Sequence, residues 1–133
     1  MKLVARQRYL VLVALLICIG LLTRWPVLGL PYTAAKYCGS VIWGGMIYCV
    51  VASILPTAGP LRISIMAGLL SAGIEFSQLW HTEELDAFRR TTIGVLLIGR
   101  FFSWWDILSY WIGIAAVGLF DTFVSRPEVT SKR

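Results

Sequence analysis

Apolar stretches long enough to cross a bilayer follow one another from Tyr9 to Val124, and the charged residues fall almost wholly between them. Backbone groups in hydrocarbon have no water to bond, so spanning segments are restricted to helices or a closed barrel, and runs of this length read as helices. The composition agrees: 58% of the residues are hydrophobic and 14% charged, against about a quarter charged in soluble domains. Mean hydropathy is +0.77. At roughly 20 residues per span, 133 residues accommodate four spans and short connections. The expected fold is therefore all-α, a bundle of four transmembrane helices forming a single membrane domain over residues 1–133.

The first run follows a basic start and lacks small residues at Thr23, Arg24 and Trp25, so it reads as an uncleaved span over about 9–25 rather than a secretory signal. It is short, which requires Arg8 and Arg24 to snorkel toward the two interfaces. A Trp-, Pro- and Gly-containing connection precedes the second span, about 37–55, in which Gly39, Gly44 and Gly45 permit close approach of a neighbouring helix. Trp43 and Tyr48 read as packing and interface residues. The third span covers about 61–80 and the last about 106–124. Between them, the apolar run 93–105 is too short to cross as a helix and reads as an interfacial or re-entrant segment, with Phe101, Phe102, Trp104 and Trp105 forming an aromatic belt. The tail from Ser125 is polar and expected to be mobile.

Two helical faces carry polar groups. At about 100° per residue, Gly68, Ser71, Glu75 and Gln78 fall within a sector of roughly 80°. Asp106, Tyr110, Gly113 and Val117 share a face of the last span, with Ser109 at its edge. Ionisable groups in apolar spans are costly and face a bundle interior, so Glu75 is the leading functional candidate. Arg89 and Arg90 are its nearest candidate cations, and Asp106 is placed to cap the last helix or to reach the same spot. The candidate cluster is Glu75, Gln78, His81, Arg89, Arg90, Asp106 and Tyr110.

Three chemistries suit that cluster. An anionic lipid or lipid-linked headgroup is one, with Arg89 and Arg90 pairing with the anion, Gln78 and His81 donating hydrogen bonds, and Glu75 and Asp106 orienting the arginines. A purely structural network is the second, with Glu75 paired to an arginine and Gln78 bonded to the loop backbone. The third is a membrane enzyme using Glu75, His81 and Asp106 as acid and base. No HExxH or GxSxG is present, and the three cysteines form no CxxC pair, so no metal, cofactor or disulfide framework is expected. The formal charge of +5 comes from residues flanking the apolar runs, which argues for a topology signal and against nucleic-acid binding. Of twelve basic residues, the side bearing both termini takes Lys2, Arg6, Arg8, Arg62, Arg126, Lys132 and Arg133. The opposite side takes Arg24, Lys36, Arg89, Arg90 and Arg100. The basic bias places both termini in the cytoplasm and His81–Arg100 outside the inner membrane of a bacterial cell. Expected partners are membrane lipid and a membrane protein or second copy of the chain.

The stretches Ser71–Leu79, Leu85–Arg89, Leu96–Phe101 and Trp105–Gly113 resemble a bacterial family of small four-span membrane proteins of unknown function, over about Tyr37 to Gly118. More distantly, Glu75-x-x-Gln78 followed by an Arg, an Asp and a Gly is similar in order to VanZ-like proteins, with Tyr110 where those chains typically carry Asn. The resemblance implies a cell-envelope role and directs attention to Glu75, Gln78, Arg89 and Asp106.

Overall fold

A computed structural model of the chain describes residues 2–124. Six α-helices follow in order: α1 (Lys2–Thr23), α2 (Tyr32–Ile54), α3 (Pro60–Ser77), α4 (Glu83–Arg89), α5 (Thr92–Leu97) and α6 (Trp104–Val124). A single 3-10 turn, Pro26–Leu28, joins the first two, and no strand occurs among the described residues. The polar tail from Ser125, with Arg126, Lys132 and Arg133, lies outside them.

Helices α1 from Leu3, α2 and α6 are long and apolar enough to cross a membrane. Helix α3, at 18 residues, carries Arg62 and Glu75 and is not in that group. The helices are not coextensive with the apolar runs. Helix α1 begins seven residues before Tyr9, because lysine and arginine are good helix formers and charge alone does not interrupt backbone bonding. Helix α2 starts directly after Pro31, while α3 opens on Gly59 and Pro60, a proline at the first helical position lacking only an N–H that had no partner there. The same helix ends at Ser77 rather than Trp80. Its last residues tighten into i→i+3 turns, Gln78 N–H to the Glu75 carbonyl at 3.1 Å and Trp80 N–H to Ser77 at 3.1 Å.

Helix α2 packs against α1, α3 and α6, and α3 also packs on α6. Within the most apolar stretch of each helix, 61% of α2 is buried, against 33% of α6 and 6% of α1. So α2 is the axis of the bundle and α1 an outer helix leaning on it. Pairings such as Ser40 with Asp106 and Tyr48 with Asp121 show that α2 and α6 run parallel, while Glu75 meeting Tyr110 and Gly68 meeting Trp111 set α3 against them. The four long helices therefore alternate in direction along the chain. One end of the bundle holds the α1 N-terminus and the α6 C-terminus; the other holds α4 and α5.

The α2–α6 seam is built from missing side chains. A Cβ on Gly44 would overlap the Tyr110 backbone, and one on Gly113 would overlap the Val41 carbonyl. Small residues let backbones approach where lipid supplies no hydrophobic drive for helix pairing. Around this seam Tyr48, Cys49, Ala52, Ile63, Ala67 and Ile114 form the core.

Candidate functional site

Glu75 has no exposed surface. Its carboxylate is held by three donors from three different segments. Ser103 N–H donates to Oε1 at 2.9 Å, while Gln78 Nε2 at 2.9 Å and the Tyr110 hydroxyl at 3.0 Å donate to Oε2. The polar faces read from the α3 and α6 periodicity do turn inward: Gly68, Ser71, Glu75, Asp106, Ser109, Tyr110 and Gly113 are all buried. The pairing of Glu75 with an arginine does not form: neutral donors from α3, α6 and the turn before α6 surround the carboxylate, and Arg89 turns to the end of α3 and to Asp86.

Gln78 also donates to the Ile98 carbonyl at 2.7 Å. With Ser103 N–H on Glu75, this pins both sides of the turn between α5 and α6. That turn needs Gly99, whose φ of 76° is left-handed and whose Cβ, if present, would lie 2.7 Å from Gln78 Nε2. The run 93–105 is thus a short helix, a glycine turn and the start of α6. Phe102 stacks on Phe76 at 5.5 Å and meets Trp104 edge-on at 5.1 Å, while Phe101, Trp104 and Trp105 remain largely exposed.

Arg89 is 3% exposed. Its guanidinium donates to the Trp80 carbonyl at 2.7 Å, to the Ser77 carbonyl and to Asp86 at 3.1 Å. Carbonyls at a helix C-terminus lack helical partners and carry negative partial charge, so Arg89 fastens α4 onto the end of α3. An anion-facing role for Arg89 is therefore corrected to an internal one. Helix α4 forms because Thr82 caps it, accepting from Leu85 N–H at 3.2 Å, and because Glu83, Glu84 and Asp86 occupy its first turn with Arg89 in its last. Asp86 also meets Nδ1 of the exposed His81 at 3.2 Å. The hydrogen bond with His81, and then that from Arg89, hold the Asp86 carboxyl below the usual carboxylate range.

Asp106 sits in the first turn of α6, but its carboxylate does not cap the helix. It takes the Ser40 hydroxyl at 3.0 Å and Lys36 Nζ at 3.4 Å, both from α2. Glu75, His81 and Asp106, the trio of the enzyme reading, thus have separate partners. Among the described residues no group of three or more His, Cys, Asp or Glu is placed to hold a metal ion.

The free cationic groups lie one layer outward. Arg24 after α1, Arg90 after α4 and Arg100 before α6 line one open groove of about 240 Å³, together with Thr92, Val95 and Leu96 of α5. No carboxylate lines it. Arg100 is braced from behind, its Nε donating to the Arg89 carbonyl at 3.3 Å and Nη2 to the Arg90 carbonyl at 3.4 Å.

A family model described as a protein of unknown function (DUF2809) matches residues 29–114, more than half of the chain. The chain belongs to the DUF2809 family. The DUF2809 match spans the Glu75 network, the Asp106 pair, Arg89, Arg90 and Arg100, and it excludes Arg24. No solved structure matches the chain.

A third buried carboxylate, after Glu75 and Asp106, lies at the other end of the bundle and outside the DUF2809 match. Asp121, 4% exposed, accepts from the Tyr48 hydroxyl at 2.7 Å, the Tyr9 hydroxyl at 2.9 Å and Arg8 at 3.1 Å. Tyr48 is thus a fully buried polar partner rather than an interface aromatic. Sequence reasoning passed over Asp121, although the signal existed. It is an ionisable residue in an apolar helix, eleven positions after Tyr110, which at about 100° per residue returns it to within roughly 20° of Tyr110's face.

Proposed function

We propose that this DUF2809 protein is a four-span bacterial inner-membrane protein that binds an anionic lipid or lipid-linked headgroup at its outer end. The carrying observation is the groove where Arg24, Arg90 and Arg100 converge without a carboxylate among its lining residues. Basic pockets between spans at a membrane surface recognise phosphate-bearing headgroups. The groove adds Val95 and Leu96 beside the arginines, an amphipathic lining suited to a head joined to a tail. Arg89 and the Glu75 network act behind it: they fix α4 and the α5–α6 turn, and with them Arg90 and Arg100.

Helix α3 is the fourth span in this reading. Its 18 residues rise about 27 Å at 1.5 Å each, close to a hydrocarbon thickness of about 30 Å, with Arg62 near one end. Both termini then face the cytoplasm by the bias of flanking lysines and arginines, and the groove, at the end of the bundle opposite the α1 N-terminus, faces the periplasm in this reading. A reporter fused to the C-terminus should be active only if it works in the cytoplasm.

Native mass spectrometry of the wild type beside Arg90→Ala tests the binding role. Arg90 is exposed and its side chain makes no hydrogen bond or ion pair among the described residues, so its loss leaves the fold intact. An anionic lipid adduct on the wild type that is lost from the variant is the expected outcome; an adduct retained by Arg90→Ala defeats the proposal. The alternative, that the polar network only closes the bundle, draws support from the complete use of both Glu75 oxygens. It calls for lowered thermal stability in Glu75→Gln and no lipid adduct on either protein.

A further inference from the structure

We infer that the groove selects a lipid ending in a phosphate monoester over one whose phosphate is a diester, an inference that rests on the headgroup reading above. A guanidinium binds a phosphate through a planar fork that spans two oxygens, and the groove is lined by two unengaged forks, Arg24 and Arg90, and by Arg100, whose Nη1 remains unengaged. A diester phosphate has two non-bridging oxygens and one negative charge, so one fork occupies its only free edge. A terminal phosphate has three acceptor oxygens and a charge of about −1.5 to −2. Its three oxygens give one edge to each of Arg24 and Arg90 and still leave an acceptor for Nη1 of Arg100.

The state of the three side chains matches that demand. Arg24 and Arg90 are exposed, and neither side chain has a hydrogen bond or ion pair among the described residues. Arg100 donates Nε to one carbonyl and Nη2 to another, and Nη1 remains for a ligand with its plane already oriented. Thr92 on the same wall adds a hydroxyl donor. Val95 and Leu96 supply the apolar side, which distinguishes a lipid phosphate from the free ion. Three cations with no lining carboxylate also stay under-neutralised by a monoanionic head.

The test uses the full-length protein in phosphatidylcholine nanodiscs at a pH of about 7.5, above the second phosphate ionisation near 6. Binding of dioctanoyl phosphatidic acid, dioctanoyl phosphatidylglycerol and inorganic phosphate is compared by thermophoresis. Phosphatidic acid is expected to bind at least about tenfold more tightly than phosphatidylglycerol, the double variant Arg24→Lys/Arg90→Lys reducing that ratio to about one by keeping charge and removing the forks. Retention of phosphatidylglycerol binding by this variant shows that the protein is folded. Equal affinity for both lipids in the wild type, with both lost in Arg90→Ala, overturns the monoester inference and leaves the headgroup reading standing. Inorganic phosphate binding as tightly as phosphatidic acid overturns the lipid part, since the apolar wall then contributes nothing. Binding of none of the three overturns both readings.

Discussion

Glu75 is a buried carboxylate without a contacting cation, and its neutral donors set the consequences of changing it. Glu75→Gln places an amide N–H₂ against either the Ser103 N–H or the Gln78 and Tyr110 donors, so at least one buried donor loses its acceptor. The expected cost is about 1–3 kcal/mol, read as a lower thermal midpoint in detergent. Tyr110→Phe removes one donor while Gln78 still serves Oε2, and should cost less, about 0.5–1.5 kcal/mol. Asp86 carries the pH dependence. Its folded-state pKa lies below the ordinary value of about 3.9, so its bonds to His81 and Arg89 stabilise α4 above that value and fail as pH falls through the lower folded value. Amide exchange over residues 82–90 should be slower in the wild type than in Asp86→Asn near neutral pH, and the two proteins should converge once pH falls through the lowered folded value. A difference that persisted at low pH would remove the carboxylate from this role.

At the scale of helices, the α2–α6 seam is the tightest join in the molecule. Gly113→Ala drives a methyl into the Val41 carbonyl, where a main chain rather than a flexible side chain must yield. We expect about 1–3 kcal/mol of destabilisation, with Gly73→Ala, which meets nothing within 4 Å, near neutral as the control in the same melts. The interior faces of α3 and α6 were legible because small and polar residues recur at helical spacing along each. Which carboxylate meets which cation was not. Lys36 and Ser40 lie about 70 residues from Asp106, and their meeting depends on the parallel register of α2 and α6, which no local pattern carries. Arg89 misled for a similar reason: an arginine between two spans reads as a ligand group, and only the fold shows that its Nη1 and Nη2 turn to the carbonyls at the end of α3. Tyr9 and Tyr48 resembled ordinary aromatics of an apolar helix because Asp121, which gives them their role, lies more than seventy residues away.

The molecule as a whole has a polar lock at each end of one bundle. Helix α6 carries Asp106 and Tyr110 at one end and Asp121 at the other, so a shift of α6 by one turn breaks both locks together. Helix α1 takes part only through Arg8 and Tyr9 at one end, and Arg24, just past its other end, lines the groove without joining the lock there. The helix's middle leans on α2 through Leu12, Val13 and Leu16, but few of its residues are fully buried, so its outer face is left to lipid. From Arg8 to Arg24 the helix rises about 24 Å at 1.5 Å per residue, short of a typical hydrocarbon thickness of about 30 Å. The bilayer beside α1 must therefore thin or the arginines must stretch outward, each at a modest cost per ångström. In nanodiscs of graded acyl length the thermal midpoint should be highest in the thinner bilayers and fall as the chains lengthen. An outer helix with charges at both ends thus ties the stability of the fold to the thickness of the bilayer around it.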